Sequence, residues 1–289
     1  METSELIKKV RQIEIKTRGL SNNIFAGEYH TAFKGKGMTF SEVREYQYGD
    51  EIRAIDWNVT ARMNHPYVKV FEEERELTVM MLIDVSGSRH FGTVRQFKQD
   101  VIAEIAATLA FSAIQNNDKI GVIFFSDRVE KYIPPQKGRK HILYIIRELL
   151  DFEPESSKTD LGCVLKFFTN VVKKRCTAFV ISDFIDDGNY DDAVTIASRK
   201  HDMVALQVYD RRDAELPDVG LIYVKDSETG EDILVDTGSK KLRMQYRNVW
   251  NERQFRLNML AKKSGVDAVS IMVGEDYVKS LIQLFNKRK

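Results

Sequence analysis

Cysteine, histidine and proline are scarce in this chain, and each shortage removes a class of explanation. Two cysteines, Cys163 and Cys176, cannot build a disulfide framework or a four-cysteine zinc site. The five histidines, His30, His65, His90, His141 and His201, never fall at H-x-x-x-H spacing, which argues against zinc. Only five prolines interrupt 289 residues, and 43% of the chain is hydrophobic, so a buried core is expected rather than disorder. An excess of either charge is missing too. The 44 Lys and Arg against 43 Asp and Glu leave a formal net charge of +1, which gives no overall attraction to nucleic acid or an anionic membrane surface.

Long apolar runs are also absent. The longest candidate, Leu77–Val85, is strand-sized and far short of the roughly 18 residues of a membrane-spanning helix. The N-terminus METSELIKKVRQ lacks the apolar stretch of a secretory signal. A cytoplasmic protein with no integral membrane segment and no nucleic-acid partner is the expectation. Several motifs are missing as well. Gly35-Lys36-Gly37 is no phosphate loop, because G-x-x-x-x-G-K-[ST] does not occur, and no G-x-G-x-x-G follows a strand. No G-x-S-x-G elbow surrounds Ser86 or Ser88, so neither, even with His90, makes a hydrolase nucleophile.

What is there is strand–helix alternation. Leu77–Ile83, Lys119–Phe125, Thr177–Ser182, Met203–Tyr209 and Asp267–Met272 read as strands, the first two as continuous apolar runs buried on both faces. Between them, 93–115, 140–150, 161–174, 190–200 and 240–264 read as helices, the last stopped by Gly265, and 277–285 as a final helix. Arg128–Ile133 is a short strand before Pro134-Pro135, and Leu221–Val224 with Asp232–Val235 flank a turn at Glu228-Thr229-Gly230-Glu231. This is the pattern of an open, mostly parallel α/β sheet with helices on both faces. Ahead of it, a helix at about Glu5–Lys16 ends at Thr17–Gly19, and short extended pieces separated by turns fill Thr31 to Val79. The expected division is residues 1–76, a helix with a β-rich region that packs against the rest, and 77–289, the α/β domain.

Ligands in such sheets sit at the carboxyl ends of strands. There the chain offers Asp84-Val85-Ser86-Gly87-Ser88, a D-x-S-x-S pattern, then Thr159-Asp160 before a helix, and Asp183 at the end of another strand. Asp84, Ser86, Ser88, Thr159 and Asp183 form an oxygen-only set suited to a hard divalent cation such as Mg²⁺ or Mn²⁺. With few carboxylates, such an ion stays electron-poor and able to take one more from a partner. Serines and aspartates after strands also cap helices, which is the plainer reading.

The same five residues resemble the metal-ion-dependent adhesion site of von Willebrand factor A-type domains. More narrowly, the chain resembles a bacterial family of uncharacterised domains, domain-of-unknown-function family fifty-eight. The likeness rests on Gly35-Lys36-Gly37-Met38-Thr39-Phe40, Val43-Arg44-Glu45-Tyr46-Gln47-Tyr48-Gly49-Asp50, Ile52-Arg53-Ala54-Ile55-Asp56-Trp57 and Thr60-Ala61-Arg62. It continues in Ile181-Ser182-Asp183-Phe184 and Leu216-Pro217-Asp218-Val219-Gly220. It implies a von Willebrand factor A-like fold, no established reaction, and partnership with a MoxR-type AAA+ ATPase in complex assembly or maturation. In one departure, Arg89 stands where many adhesion sites have methionine.

The expectation is therefore a non-enzymatic interaction module that binds a partner's Asp or Glu through the metal. A metal-dependent phosphoester hydrolase, with Asp160 as the extra carboxylate, and a scaffold with a vacant metal site are the alternatives. For Arg44, Arg53 and Arg62 among Glu45, Asp50 and Asp56, a buried ion-pair network and a partner surface both stand open. The Glu72–Glu74 run is read as a solvated face, with a carboxylate donor to another subunit's metal as the alternative.

Overall fold

Apolar strands with no polar face must be covered on both sides, and the structure does so with one six-stranded sheet and two layers of helices. The computed structural model describes residues 3–20, 39–72, 77–90, 97–186, 188–225 and 232–288. The chain divides into two units, Phe33–Leu77 and the combination of Met1–Ala32 with Thr78–Lys289.

In the larger unit the sheet contains β3 (Thr78–Asp84), β4 (Lys119–Phe125), β5 (Val129–Gln136), β6 (Thr177–Ser182), β7 (Asp202–Tyr209) and β10 (Asp267–Met272), in the order β10-β7-β6-β3-β4-β5. All neighbours are parallel except β5, which runs antiparallel to β4 at the edge. Counted from β3, the order is 3-2-1-4-5-6. The chain leaves β3 first toward one edge and later toward the other, so β3 and β6 flank the switch point where ligands bind in such sheets. This is the expected α/β class, a mostly parallel sheet flanked by helices.

Residues Val79 to Asp84 are all buried. Met80 and Leu82 pack into the cluster built by the helices Leu161–Val171, Asp191–Lys200 and Lys240–Ser264, through Val164, Phe168, Ala197 and Leu260. Val79, Met81 and Ile83 alternate to the other face, and each such side chain contributes about 1.5–3 kcal/mol when fully buried. Gly121 in β4 is required by proximity. A Cβ there would lie 2.8 Å from Met80 Sδ and 2.9 Å from the Ile133 carbonyl oxygen.

Strand β5 runs through Pro134-Pro135, where the sequence reading stops it at Ile133. An edge strand tolerates proline, and the ladder with β4 is irregular there, between Ile120 and Val122. The hairpin of β8 (Leu221–Lys225) and β9 (Asp232–Asp236) forms as expected; its turn at Glu228–Glu231 and the helical start expected at 93–96 lie outside the described residues. Among the described residues no helix is long and apolar enough to cross a membrane.

The N-terminal helix, Thr3–Leu20, is not interrupted at Thr17. Thr17 is buried and its hydroxyl donates back to the Ile13 carbonyl at 2.7 Å, which keeps it inside the helix. Ion pairs Lys9–Asp100 and Lys16–Glu104, both 2.6 Å, and Glu14–Arg139 hold it to the helices Lys98–Gln115 and Arg139–Asp151. It therefore belongs to the sheet unit and not, as expected, with the β-rich segment.

The smaller unit pairs β1 (Thr39–Glu45) antiparallel with β2 (Tyr67–Glu72). Between them lies a helix, Trp57–Met63, where only extended pieces were expected. Asp56 caps it by accepting from Asn58 N at 3.0 Å and Val59 N at 3.3 Å, and Asn64 ends it in the left-handed conformation at φ 57°. Arg44 makes a two-pronged pair with Asp50 at 2.8 and 2.7 Å, but its side chain is 39% exposed, so this is no buried network. The Gly35–Met38 part of the first sequence block, and residues 73–74 of the acidic run, lie outside the described residues.

Candidate metal centre

The site begins where β3 runs out of apolar residues. Asp84, the last residue of the strand, is buried, and its Oδ1 accepts the backbone N–H of Ser86 at 2.9 Å. That short turn bends the chain into the single 3₁₀ turn Gly87–His90 and brings the Ser86 and Ser88 hydroxyls to 3.2 Å of each other. The loop is anchored on two sides, by Val85 N to the Phe125 carbonyl at 2.8 Å and by Gly87 N to the Ser157 carbonyl at 3.0 Å.

From the neighbouring strand, Ser182 donates its hydroxyl to Asp84 Oδ2 at 2.6 Å and accepts the N–H of Phe184 at 3.0 Å. Asp183 follows, buried, with Oδ1 accepting Ile185 N at 3.1 Å and its carbonyl accepting from Gln207 Nε2 at 3.1 Å. Phe184 holds φ at +57°, a region a bulky residue rarely enters. Backbone strain of this kind costs of order 1–3 kcal/mol and gathers at functional sites.

Thr159 stands half-buried in a loop tied down by Ser157, which accepts Gly87 N, and by Asp160 N bonding to the Ser126 carbonyl at 3.0 Å. Glu130 steadies the same loop by accepting Glu155 N at 3.2 Å and Ser156 N at 3.3 Å. The structure therefore joins Asp84, Ser86 and Ser88 directly, sets Asp183 beside them on the adjacent strand, and puts Thr159 on the adjoining loop. Asp160 has a different role. Its Oδ1 caps the helix Leu161–Val171 by accepting Cys163 N at 2.8 Å.

The electrostatics are those of a crowded anionic pocket. Burial, and then the charge of Asp183, push the Asp84 carboxyl up to about 6. Three further groups enter that the motif does not announce. Ser182 is one. The others are Lys98, 2% exposed at the start of its helix, and Asp213. Lys98 Nζ lies 3.1 Å from Asp183 Oδ2 and 2.7 Å from Asp213 Oδ2. Burial opposes the ammonium charge, but the two carboxylates outweigh it and hold Lys98 above its ordinary value. A lysine ahead of an alanine-rich helix normally points to solvent, so the sequence carried no signal for it. Arg89, standing in place of methionine, is buried and donates to the Phe152 carbonyl; burial pulls its guanidinium below the ordinary value, while the charge of Asp84 pushes the other way.

One cysteine and one histidine meet in the core. Cys176 Sγ lies 3.3 Å from His201 Nδ1, both buried, and burial raises the thiol to about 12, the opposite of an activated nucleophile. Among the described residues no group of three or more His, Cys, Asp or Glu is placed to hold a metal, so any ion must rely on the hydroxyl oxygens.

The fold defines the class, an α/β domain with a mostly parallel six-stranded sheet and a polar cluster at its switch point. The chain belongs to the family described as Protein of unknown function DUF58, which matches residues 42–256. It is 29% identical over 232 residues to the uncharacterized protein Rv1480 of Mycobacterium tuberculosis, covering 80% of this chain and 73% of that one. It is 27% identical over 109 residues to the uncharacterized protein YeaD of Bacillus subtilis, covering 38% of this chain and 25% of that one. Among solved structures it shares its fold with an aerotolerance-related membrane protein from Bacteroides fragilis, at 17% identity and a TM-score of 0.50, over 73% of this chain and 99% of the other.

Proposed function

We propose that the protein is a non-catalytic interaction module in which Asp84, Ser86, Ser88, Thr159 and Asp183 hold Mg²⁺ or Mn²⁺ to grip an Asp or Glu of a partner protein. The observation that carries this is the convergence at the β3–β6 switch point of two serine hydroxyls 3.2 Å apart with a buried carboxyl whose charge the site under-compensates. The donor chemistry fits. All the groups are oxygens, the hydroxyls rotate, and Asp84 and Asp183 repel each other in a way that a cation between them relieves. The bound ion would supply an open coordination position for a carboxylate. Ser182 and the Ser86 N–H orient Asp84, while the strained turn at Phe184 fixes Asp183. The partner expected from the family resemblance is a MoxR-type AAA+ ATPase, in complex assembly or maturation.

A second reading, a scaffold that takes no metal, draws on one observation: Lys98 already gives Asp183 a counter-charge. Thermal unfolding of the wild type and Asp84→Ala, in EDTA and in excess Mg²⁺ or Mn²⁺, separates the two. A ligand at 100 times its Kd stabilises by about 2.7 kcal/mol, which at about 2.1 cal/mol/K per residue is near 4 °C for this chain. That shift in the wild type alone supports the metal site, and capture of the ATPase partner should then fail in Asp84→Ala and in EDTA. Undiminished capture in Asp84→Ala would discard the mechanism.

A further inference from the structure

Lys98 is the first residue of its helix, yet its ammonium is carried inward to the carboxyl ends of the strands. It reaches two carboxylates of different standing. Asp183 belongs to the proposed metal set. Asp213 sits on the short helix Arg211–Ala214 after β7, inside a capping box with Asp210, and takes the shorter contact, 2.7 against 3.1 Å. That helix is held in turn by the long helix Lys240–Ser264, through Tyr246 Oη donating to the Arg212 carbonyl at 3.0 Å.

An ammonium within 3.1 Å of Asp183 Oδ2 and a divalent ion drawing on the same carboxylate repel each other, and inside a protein that repulsion is weakly screened. Resting on the metal reading above, we infer that Lys98 is a resident cation that competes with the divalent ion for Asp183, with Asp213 as the alternative seat that frees the site. Lys98 is thus a positioning residue that sets the affinity of the site, not a ligand. Metal occupancy follows how Lys98 divides between the two aspartates, and so depends on the helix that carries Asp213.

The test is direct Mn²⁺ binding by the full-length chain, read from the loss of the free-Mn²⁺ paramagnetic resonance signal. Lys98→Met should bind Mn²⁺ at least tenfold more tightly than the wild type, while Lys98→Arg, which keeps the charge, should stay near the wild type. Asp213→Asn should bind more weakly, because the ammonium is left to Asp183 alone. Adding Asp84→Ala to any of them should abolish binding. Should Lys98→Met not fold without metal, Lys98→Met/Asp213→Asn carries the test and should also bind at least tenfold more tightly. Wild-type binding that the Lys98 variants leave unchanged would overturn the inference and leave the metal site standing. No Mn²⁺ binding in any folded variant up to millimolar concentration would overturn both.

Discussion

Asp84→Asn should move the stability of the protein in opposite directions with and without a divalent cation. In the metal-free protein the Asp84 carboxyl is raised from 3.8 to about 6, first by burial and then by Asp183. A carboxyl whose pKa is raised on folding favours the folded state when protonated. Its contribution is complete below the unfolded value, near pH 4, and is lost as pH rises through about 6. At 1.36 kcal/mol per pKa unit, the ionised group costs the folded protein about 3 kcal/mol at neutral pH. Asparagine removes that cost and keeps the shape. Its Oδ1 can still accept from Ser86 N, and its amide can donate to Ser182 Oγ, which now donates to Asp84 at 2.6 Å. Allowing for imperfect replacement, a net gain of about 1–2 kcal/mol is expected at pH 7.5 in EDTA, or about 2–4 °C in Tm. The gain should shrink to nothing by about pH 4. With excess Mn²⁺ the proposed site predicts the reverse order, because a charged carboxylate holds the ion more strongly than a neutral amide oxygen does. Calorimetry of both proteins from pH 4 to 8, with and without Mn²⁺, reads all of this as a difference, which cancels the carboxylates remote from Asp84 and leaves that of Asp84 with its neighbour Asp183. An EDTA form of Asp84→Asn less stable than the wild type at pH 7.5, by an amount independent of pH, would refute the electrostatic account.

Gly121→Ala should lose about 1–3 kcal/mol of stability by chemical denaturation, since the new methyl meets backbone as well as Met80. Gly265→Ala, at φ +68° but with open space around it, should cost about 1 kcal/mol with no effect on metal binding. Cys176 should resist a thiol reagent at pH 8 until the protein unfolds, because burial holds it protonated, and labelling of the native protein at Cys176 would contradict the structure. Asp160→Ala should lower stability by about 1 kcal/mol through the lost cap and leave Mn²⁺ affinity unchanged; loss of affinity with stability intact would return Asp160 to the site.

Elements were legible in the sequence where one local signal decided them. Lys240–Ser264 and Asp267–Met272 match the sequence reading residue for residue, because a Ser239 cap and a left-handed Gly265 mark the helix ends. The buried strands match within a residue or two, because a continuous apolar run between turn signals has few other uses. Failures came where context overruled a local rule. Pro134-Pro135 stays in β5 because the strand is at the edge. Thr17 stays in its helix because its hydroxyl is buried against Ile13. Trp57–Met63 was missed although Asp56 is a plain capping signal, since glycines and aromatics nearby suggested extended chain.

The centre divides the same way, and the division explains its chemistry. Asp84, Ser86 and Ser88 were readable because one turn of backbone sets their spacing. The Lys98–Asp183–Asp213 set was not, because three segments distant in sequence build it. Stability alone gives little reason to keep that set, since replacing a buried ion pair by apolar groups of similar volume is often neutral or stabilising. Nor does it account for a phenylalanine at positive φ beside Asp183, or for a second carboxyl 4% exposed on the neighbouring strand. The turn at Phe184 and the buried charge of Asp84 cost free energy in the metal-free fold, and they meet the Lys98 set at the β3–β6 switch point. In the proposed site a divalent ion would offset the repulsion of Asp84 and Asp183, and movement of Lys98 toward Asp213 would remove the competing charge. The proposed site gives the buried Asp84 carboxyl a use, whereas a scaffold without metal leaves only Asp183 balanced, by Lys98.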